Sequence, residues 1–191
     1  GAINLPEAKT YRQNGRTDRV GKPAYIQKLF SQAGITQQKR VIIYDDGSFI
    51  NAGRVFWVLE VYGHTKVQLL DGGFPAWQAD GLSVSMEAVS PKPGDFIAMI
   101  QPEKLVTKLR MRLATRADKS IILDARSQDE YAGFKSITDR YGHIPQAINI
   151  PWGNNVNSGG DFPQMKTFPE LQQVYAGLDK NKKILTYCNK G

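Results

Sequence analysis

The chain has 191 residues, 41% of them hydrophobic and 23% charged, which is ordinary for a globular protein of one domain or two small ones. No apolar run approaches the roughly 18 residues of a membrane-spanning helix, and one cysteine rules out an internal disulfide and any CxxC metal site. The net charge of +7 is scattered, and no nucleic-acid-reading motif accompanies it, so we expect neither a nucleic-acid nor a membrane partner but a field that draws in small anions.

The chain opens on Gly1-Ala2-Ile3-Asn4-Leu5-Pro6, with no charged n-region and no long apolar core, so no signal peptide is read there and a cytoplasmic location is expected. The single cysteine does not itself choose between cytosol and periplasm. The opening residues recur as Gln146-Ala147-Ile148-Asn149-Ile150-Pro151, and each copy is expected to be a strand. A polar loop and an amphipathic helix follow in both. Tyr25, Ile26, Leu29 and Phe30 share a face in the first, ahead of Gly34. Leu171, Val174, Tyr175 and Leu178 share one in the second, behind the capping-box spacing of Thr167 and Glu170. Each helix yields to a short apolar strand, Val41-Ile42-Ile43-Tyr44 or Ile184-Leu185-Thr186-Tyr187. Asp45 follows the first strand and Cys188 the second. The matched order reads as a duplication.

The first unit continues through the turn Asp46-Gly47-Ser48, an apolar helix over 49–62 stopped by Gly63, a strand over 66–70 and a short helix over 74–79. Pro91, Pro93 and Gly94 mark an interdomain linker. Pro102 then opens a helix carrying Leu105, Val106, Leu109 and Leu113, with Lys108, Arg110 and Arg112 on its solvated face. The strand 120–123 ends in Asp124-Ala125-Arg126, a helix starts near Ser127, and a polar loop runs over 133–142. Strands alternating with helices imply a mostly parallel sheet covered on both faces.

Cys188-Asn189-Lys190-Gly191 lies where the last strand ends, and ligands of open α/β sheets bind outside the carboxyl ends of strands. A thiol beside a lysine and a turn's N–H groups is in a setting that favours thiolate. Arg126 also follows a strand, so the two can converge. A buried core cysteine and a domain-internal ion pair for Arg126 are the plain structural alternatives.

These residues resemble the two-domain rhodanese-type sulfurtransferases. The resemblance rests on Tyr44-Asp45-Asp46-Gly47, Leu70-Asp71-Gly72-Gly73-Phe74-Pro75-Ala76-Trp77, Leu123-Asp124-Ala125-Arg126-Ser127, Gly142-His143-Ile144-Pro145 with the strand after it, and Tyr187-Cys188-Asn189-Lys190-Gly191. It implies an α/β fold of two tandem rhodanese-like domains, each a mostly parallel sheet flanked by helices. A silent domain is expected over 1–82, a linker over 83–97 and a catalytic domain over 98–191. Both domains are expected to lack parts, the first at its start and the second at its end, with a longer chain or a second fragment completing them.

The resemblance further implies a cofactor-free ping-pong reaction. Cys188 takes a sulfur from a small anionic donor as a persulfide, and cyanide or a thiol removes it. Arg126, Lys190, Asn189 and Gly191 are the expected donor-binding residues, and Asp124 supports Arg126. Two features depart from the pattern. The family's active-site loop has six residues beginning at the cysteine, and four are present. Many relatives carry an arginine where this chain has Glu130. Lys190 resembles loops that use thiosulfate, which is the expected donor. A 3-mercaptopyruvate sulfurtransferase, a cysteine-based phosphatase and a non-catalytic sulfur-relay module are the alternatives.

Overall fold

The computed structural model describes residues 1–12 and 16–189, apart from the side chains of 12 and 16–18. The chain divides into two compact units. The first comprises Gly1–Leu105 with Asp161–Pro163, and the second Val106–Gly160 with Gln164–Asn189.

In the first unit a 3-10 turn over Glu7–Thr10 leads into β1 (Tyr11–Arg12), which pairs antiparallel with β2 (Arg16–Val20). α1 (Pro23–Gln32), β3 (Val41–Ile43), α2 (Ile50–Val61), β4 (Val67–Leu69) and α3 (Gly73–Ala79) follow. β3 and β4 are parallel, with Val41 opposite Val67 and Ile43 opposite Leu69. The core collects the apolar stripe of α1, Ile26 and Phe30, and the apolar positions of α2, Val55, Val58, Leu59 and Val61. Burying such side chains contributes about 1.5–3 kcal/mol each.

The stretch expected as linker and helix start belongs in part to this unit. Phe96 is buried, edge-to-face against Phe30 at 5.3 Å. Met99 N–H donates to the Tyr62 carbonyl (3.2 Å) and Gln101 N–H to that of Val61 (2.8 Å), so 98–105 runs across the end of α2. These bonds, and Trp57 Nε1 donating to the Lys104 carbonyl (2.9 Å), hold the backbone out of a helix at Pro102. The helix begins instead as α4 (Lys108–Ala114), where the Thr107 hydroxyl caps Arg110 N–H. Leu105 packs on the first unit's core, and Leu109 and Leu113 are exposed.

The second unit continues with β5 (Ser120–Asp124), α5 (Gln128–Ala132), β6 (Ala147–Asn149), a 3-10 turn, the small hairpin β7 (Val156–Asn157) and β8 (Gln164–Met165), α6 (Phe168–Val174) and β9 (Lys183–Tyr187). β6, β5 and β9 form a parallel sheet in that order, with β5 central and its Ile122, Leu123 and Asp124 buried. The Thr167–Glu170 capping box is present, and α6 stops before Tyr175 and Leu178. The two copies of the duplicated segment differ in one respect. Residues 147–149 are a strand because β5 lies beside them, whereas 1–6 form no strand, having no strand beside them among the described residues. The sheet faces are not fully covered, since Ile42 is 59% and Ile184 46% exposed.

Candidate active site

The register of the parallel sheet builds the site. Asp124 of β5 lies opposite Tyr187 of β9, so both strands end at the same edge. Ala125 N–H donates to the Tyr187 carbonyl (3.0 Å), tying the two chains together just beyond that edge. Cys188 is the next residue and is exposed. The buried-core alternative for the cysteine is therefore set aside. Asn189 follows, and Lys190 and Gly191 lie outside the described residues.

Asp124 is wholly buried beneath this edge. Its Oδ1 accepts from Arg126 N–H (2.9 Å) and Nε (3.0 Å), and its Oδ2 from Arg126 Nη2 (2.6 Å) and the Tyr187 hydroxyl (2.5 Å). Burial alone would raise its pKa, but the bonds from Arg126 and Tyr187 outweigh burial and hold it below the ordinary carboxylate value. Hydrogen bonding to Asp124 raises the Arg126 pKa in turn, so the pair stays charged. Burial, then the adjacent carboxylate, pushes Tyr187 up to about 12, which leaves its hydroxyl neutral and able to donate.

Arg126 also donates Nη2 to the Gly142 carbonyl (2.8 Å), and its side chain is only 10% exposed. These contacts fit the domain-internal ion pair, the plain structural alternative for Arg126. Its fork is turned inward on Asp124 and the 142 turn, the arrangement of a buried structural pair. Asn149 completes the frame, donating Nδ2 to the carbonyls of Asp124 (3.0 Å) and Arg126 (2.9 Å). Ile144 N–H donates to the Tyr187 hydroxyl (3.1 Å), which attaches the His-Ile-Pro turn to the same strand end. His143 stacks on Tyr131 at 3.7 Å, with Nδ1 2.7 Å from the Tyr131 carbonyl, so it belongs to its turn.

Asn189 faces α5. Its Nδ2 donates to Glu130 Oε1 (2.7 Å), and Glu130 Oε2 accepts from Ser127 N–H and hydroxyl in a capping box. The hydrogen bond from Asn189, ahead of those from Ser127, holds the Glu130 carboxyl below its ordinary range. The Ser127-x-x-Glu130 spacing was a readable sign of the cap. Nothing in the sequence shows the bond to Asn189, nor the placement of Tyr187 and Asn149.

The first unit has a turn at the corresponding place in its sequence. Asp45 stands after β3 as Cys188 stands after β9. Its Oδ1 accepts from the N–H groups of Gly47 (3.0 Å) and Phe49 (3.2 Å), and its Oδ2 from Ala52 N–H (3.1 Å) and the Ser48 hydroxyl (3.2 Å). The turn and the start of α2 therefore gather three N–H groups and a hydroxyl on one carboxylate. Among the described residues no group of three or more His, Cys, Asp or Glu side chains is placed to hold a metal ion.

The family model for the rhodanese-like domain matches residues 1–80 and again 106–191. The chain belongs to the rhodanese-type sulfurtransferases. A protein of Saccharopolyspora erythraea named "Putative thiosulfate sulfurtransferase" is 33% identical over 201 residues, spanning 100% of this chain and 70% of its own length. The 3-mercaptopyruvate sulfurtransferase of Escherichia coli strain K12 is 33% identical over 178 residues, 89% of this chain and 61% of that protein. A crystal structure of a 3-mercaptopyruvate sulfotransferase from Escherichia coli superposes with a TM-score of 0.83 at 31% identity, covering 97% of this chain and 70% of that one. An anaerobic ergothioneine biosynthesis enzyme from Chlorobium limicola superposes at 0.82 with 22% identity, over 99% of this chain and 50% of that one, which is a likeness of fold.

Proposed function

We propose that the second unit transfers a sulfane sulfur from thiosulfate to a thiophilic acceptor through a persulfide on Cys188. The observation that carries this reading is the exposed thiol at the carboxyl end of β9, one residue beyond the Asp124–Tyr187 pairing. The Asp45 turn supports it, because a matching turn in the same chain gathers N–H groups around a negative charge. Such groups favour a thiolate, whose unperturbed pKa is about 8.5. The Cys188 thiolate attacks the outer sulfur of thiosulfate. A new S–S bond forms, the donor's own S–S bond breaks, and its electron pair leaves on sulfite. Cyanide or a thiolate then attacks the outer persulfide sulfur and returns the electron pair to Cys188.

Thiosulfate is favoured by Lys190 in the turn and by relatives named for that donor across the whole chain. The Escherichia coli relative favours 3-mercaptopyruvate as the second reading. The test treats the chain with each donor and follows intact mass and product release. We expect one added sulfur on the parent and none on Cys188→Ser, with faster loading from thiosulfate. Faster loading from 3-mercaptopyruvate would exchange the donor. A persulfide that no small acceptor discharges would make the protein a sulfur-relay module.

A further inference from the structure

The carboxylate that meets the turn after Cys188 is Glu130. One oxygen closes the capping box of α5, and the other takes the Asn189 amide at 2.7 Å. Asn189 adjoins the reactive thiol in sequence, so a side chain on α5 both fixes the start of the turn and sets a negative charge beside it. The same unit contains a matched reference. Glu170 closes the capping box of α6 with Oε2, and its Oε1 takes the amide of Asn157 at 3.4 Å. The two glutamates do the same local work, but only Glu130 does it on the residue after the cysteine.

We infer that Glu130 is a positioning residue and a charge filter for the Cys188 turn, holding Asn189 in place while disfavouring anionic reagents in proportion to their charge. The inference rests on reading Cys188 as the reactive thiol. The geometry supplies both halves. The bond to Asn189 couples α5 to the turn. The carboxylate stays ionised at neutral pH, because the Asn189 and Ser127 bonds favour its charged form. Arg126, the cation nearest in sequence, spends its Nε and Nη2 bonds on Asp124 and acts on Glu130 only through its charge, the last of the effects that lower the Glu130 pKa. Glu130 is held by the residue next to Cys188, and unit charges at such neighbouring positions still interact measurably in a largely aqueous setting. The filter therefore works against a dianion more than against a monoanion, and not against a neutral reagent.

The substitution Glu130→Gln removes the charge and keeps a side chain that capping boxes accept. Alkylation of Cys188 by neutral iodoacetamide and by anionic iodoacetate reads the filter without requiring sulfur transfer. The iodoacetate-to-iodoacetamide rate ratio should rise about threefold to fivefold in Glu130→Gln and stay unchanged in Glu170→Gln, and the rise should shrink in high salt. Where persulfide loading is observed, the thiosulfate rate should rise by about tenfold, since a dianion feels the charge twice. An unchanged ratio in Glu130→Gln, or equal loss with both alkylating agents, would overturn the inference. A shifted ratio in a chain that takes no sulfur would uphold it and refute the donor assignment instead.

Discussion

Asp124→Asn tests whether the buried pair beneath the strand edge holds the second unit together. The carboxylate is fully buried and the Arg126 side chain only 10% exposed, so both charges depend on each other. The substitution leaves one acceptor oxygen where there were two. It also turns an amide N–H₂ toward Arg126 Nη2 or the Tyr187 hydroxyl, both donors to Asp124. Removing one member of a buried pair costs about 3–5 kcal/mol. The retained oxygen places this variant at the low end, about 3 kcal/mol. Native-state hydrogen exchange of the β5 and β9 amides reads the second unit directly, and their protection should fall roughly 100-fold, with β3 and β4 as reference. The pH dependence has a fixed sign. Asp124 has a folded pKa below its ordinary value, so the unfolded chain binds the proton more readily. Its contribution is fully present above about pH 4 and is lost as pH falls through the lower folded value. The gap between parent and variant should be flat from pH 5 to 8 and close in acid. A gap under about 1 kcal/mol at pH 7, or one that widens as pH falls, would refute the assignment of Arg126 to a structural pair.

Two further outcomes are expected. Gln146 has φ of 68°, in the left-handed region, so Gln146→Gly should stabilise the second unit by about 1 kcal/mol in urea unfolding. His64 is buried and its pKa lowered, by burial first, with the nearby Lys66 charge adding to it. The unfolded chain therefore gains a proton first, and the first unit should lose stability as pH falls below about 6.5, a slope that His64→Gln should remove.

Much of this architecture was readable because the apolar runs are short and sharply bounded. The strands at 41–43, 67–69, 120–124 and 183–187 each coincide with such a run. The helix α2 coincides with the apolar stretch after the Asp46-Gly47-Ser48 turn, and α6 with its capping box. The stretch 96–105 departs from the helix its pattern predicts, because periodicity shows that residues are apolar, not which core receives them. Phe96 and Leu105 pack on the first unit, which delays α4 to Thr107. At the site, Cys188 and Asp124 follow from their place at strand ends. The role of Arg126 does not, because two residues' separation from Asp124 permits either direction for the guanidinium. Tyr187 and the Gly142 carbonyl, both distant in sequence, decide it. Glu130 and Asn189 are likewise distant in sequence, and their hydrogen bond shows only in the folded structure.

The duplicated turns explain why one unit is read as reactive and the other as silent. Each follows a tyrosine at or just beyond the end of a parallel strand. In the first unit the next residue is Asp45, whose two oxygens accept three N–H groups and a hydroxyl. That carboxylate fills its own cradle and stabilises α2 as a cap does, by about 1 kcal/mol. It offers no atom that can take up a sulfur and release it again. A thiolate in the same position has the charge without the second oxygen, and its polarisable sulfur can both attack a sulfane sulfur and act as leaving group afterwards. Two positions therefore separate the turns in sequence, the carboxylate of Asp45 against the thiol of Cys188 and Gly47 against Lys190, so Asp45→Cys alone is not expected to make the first unit a sulfur carrier with turnover.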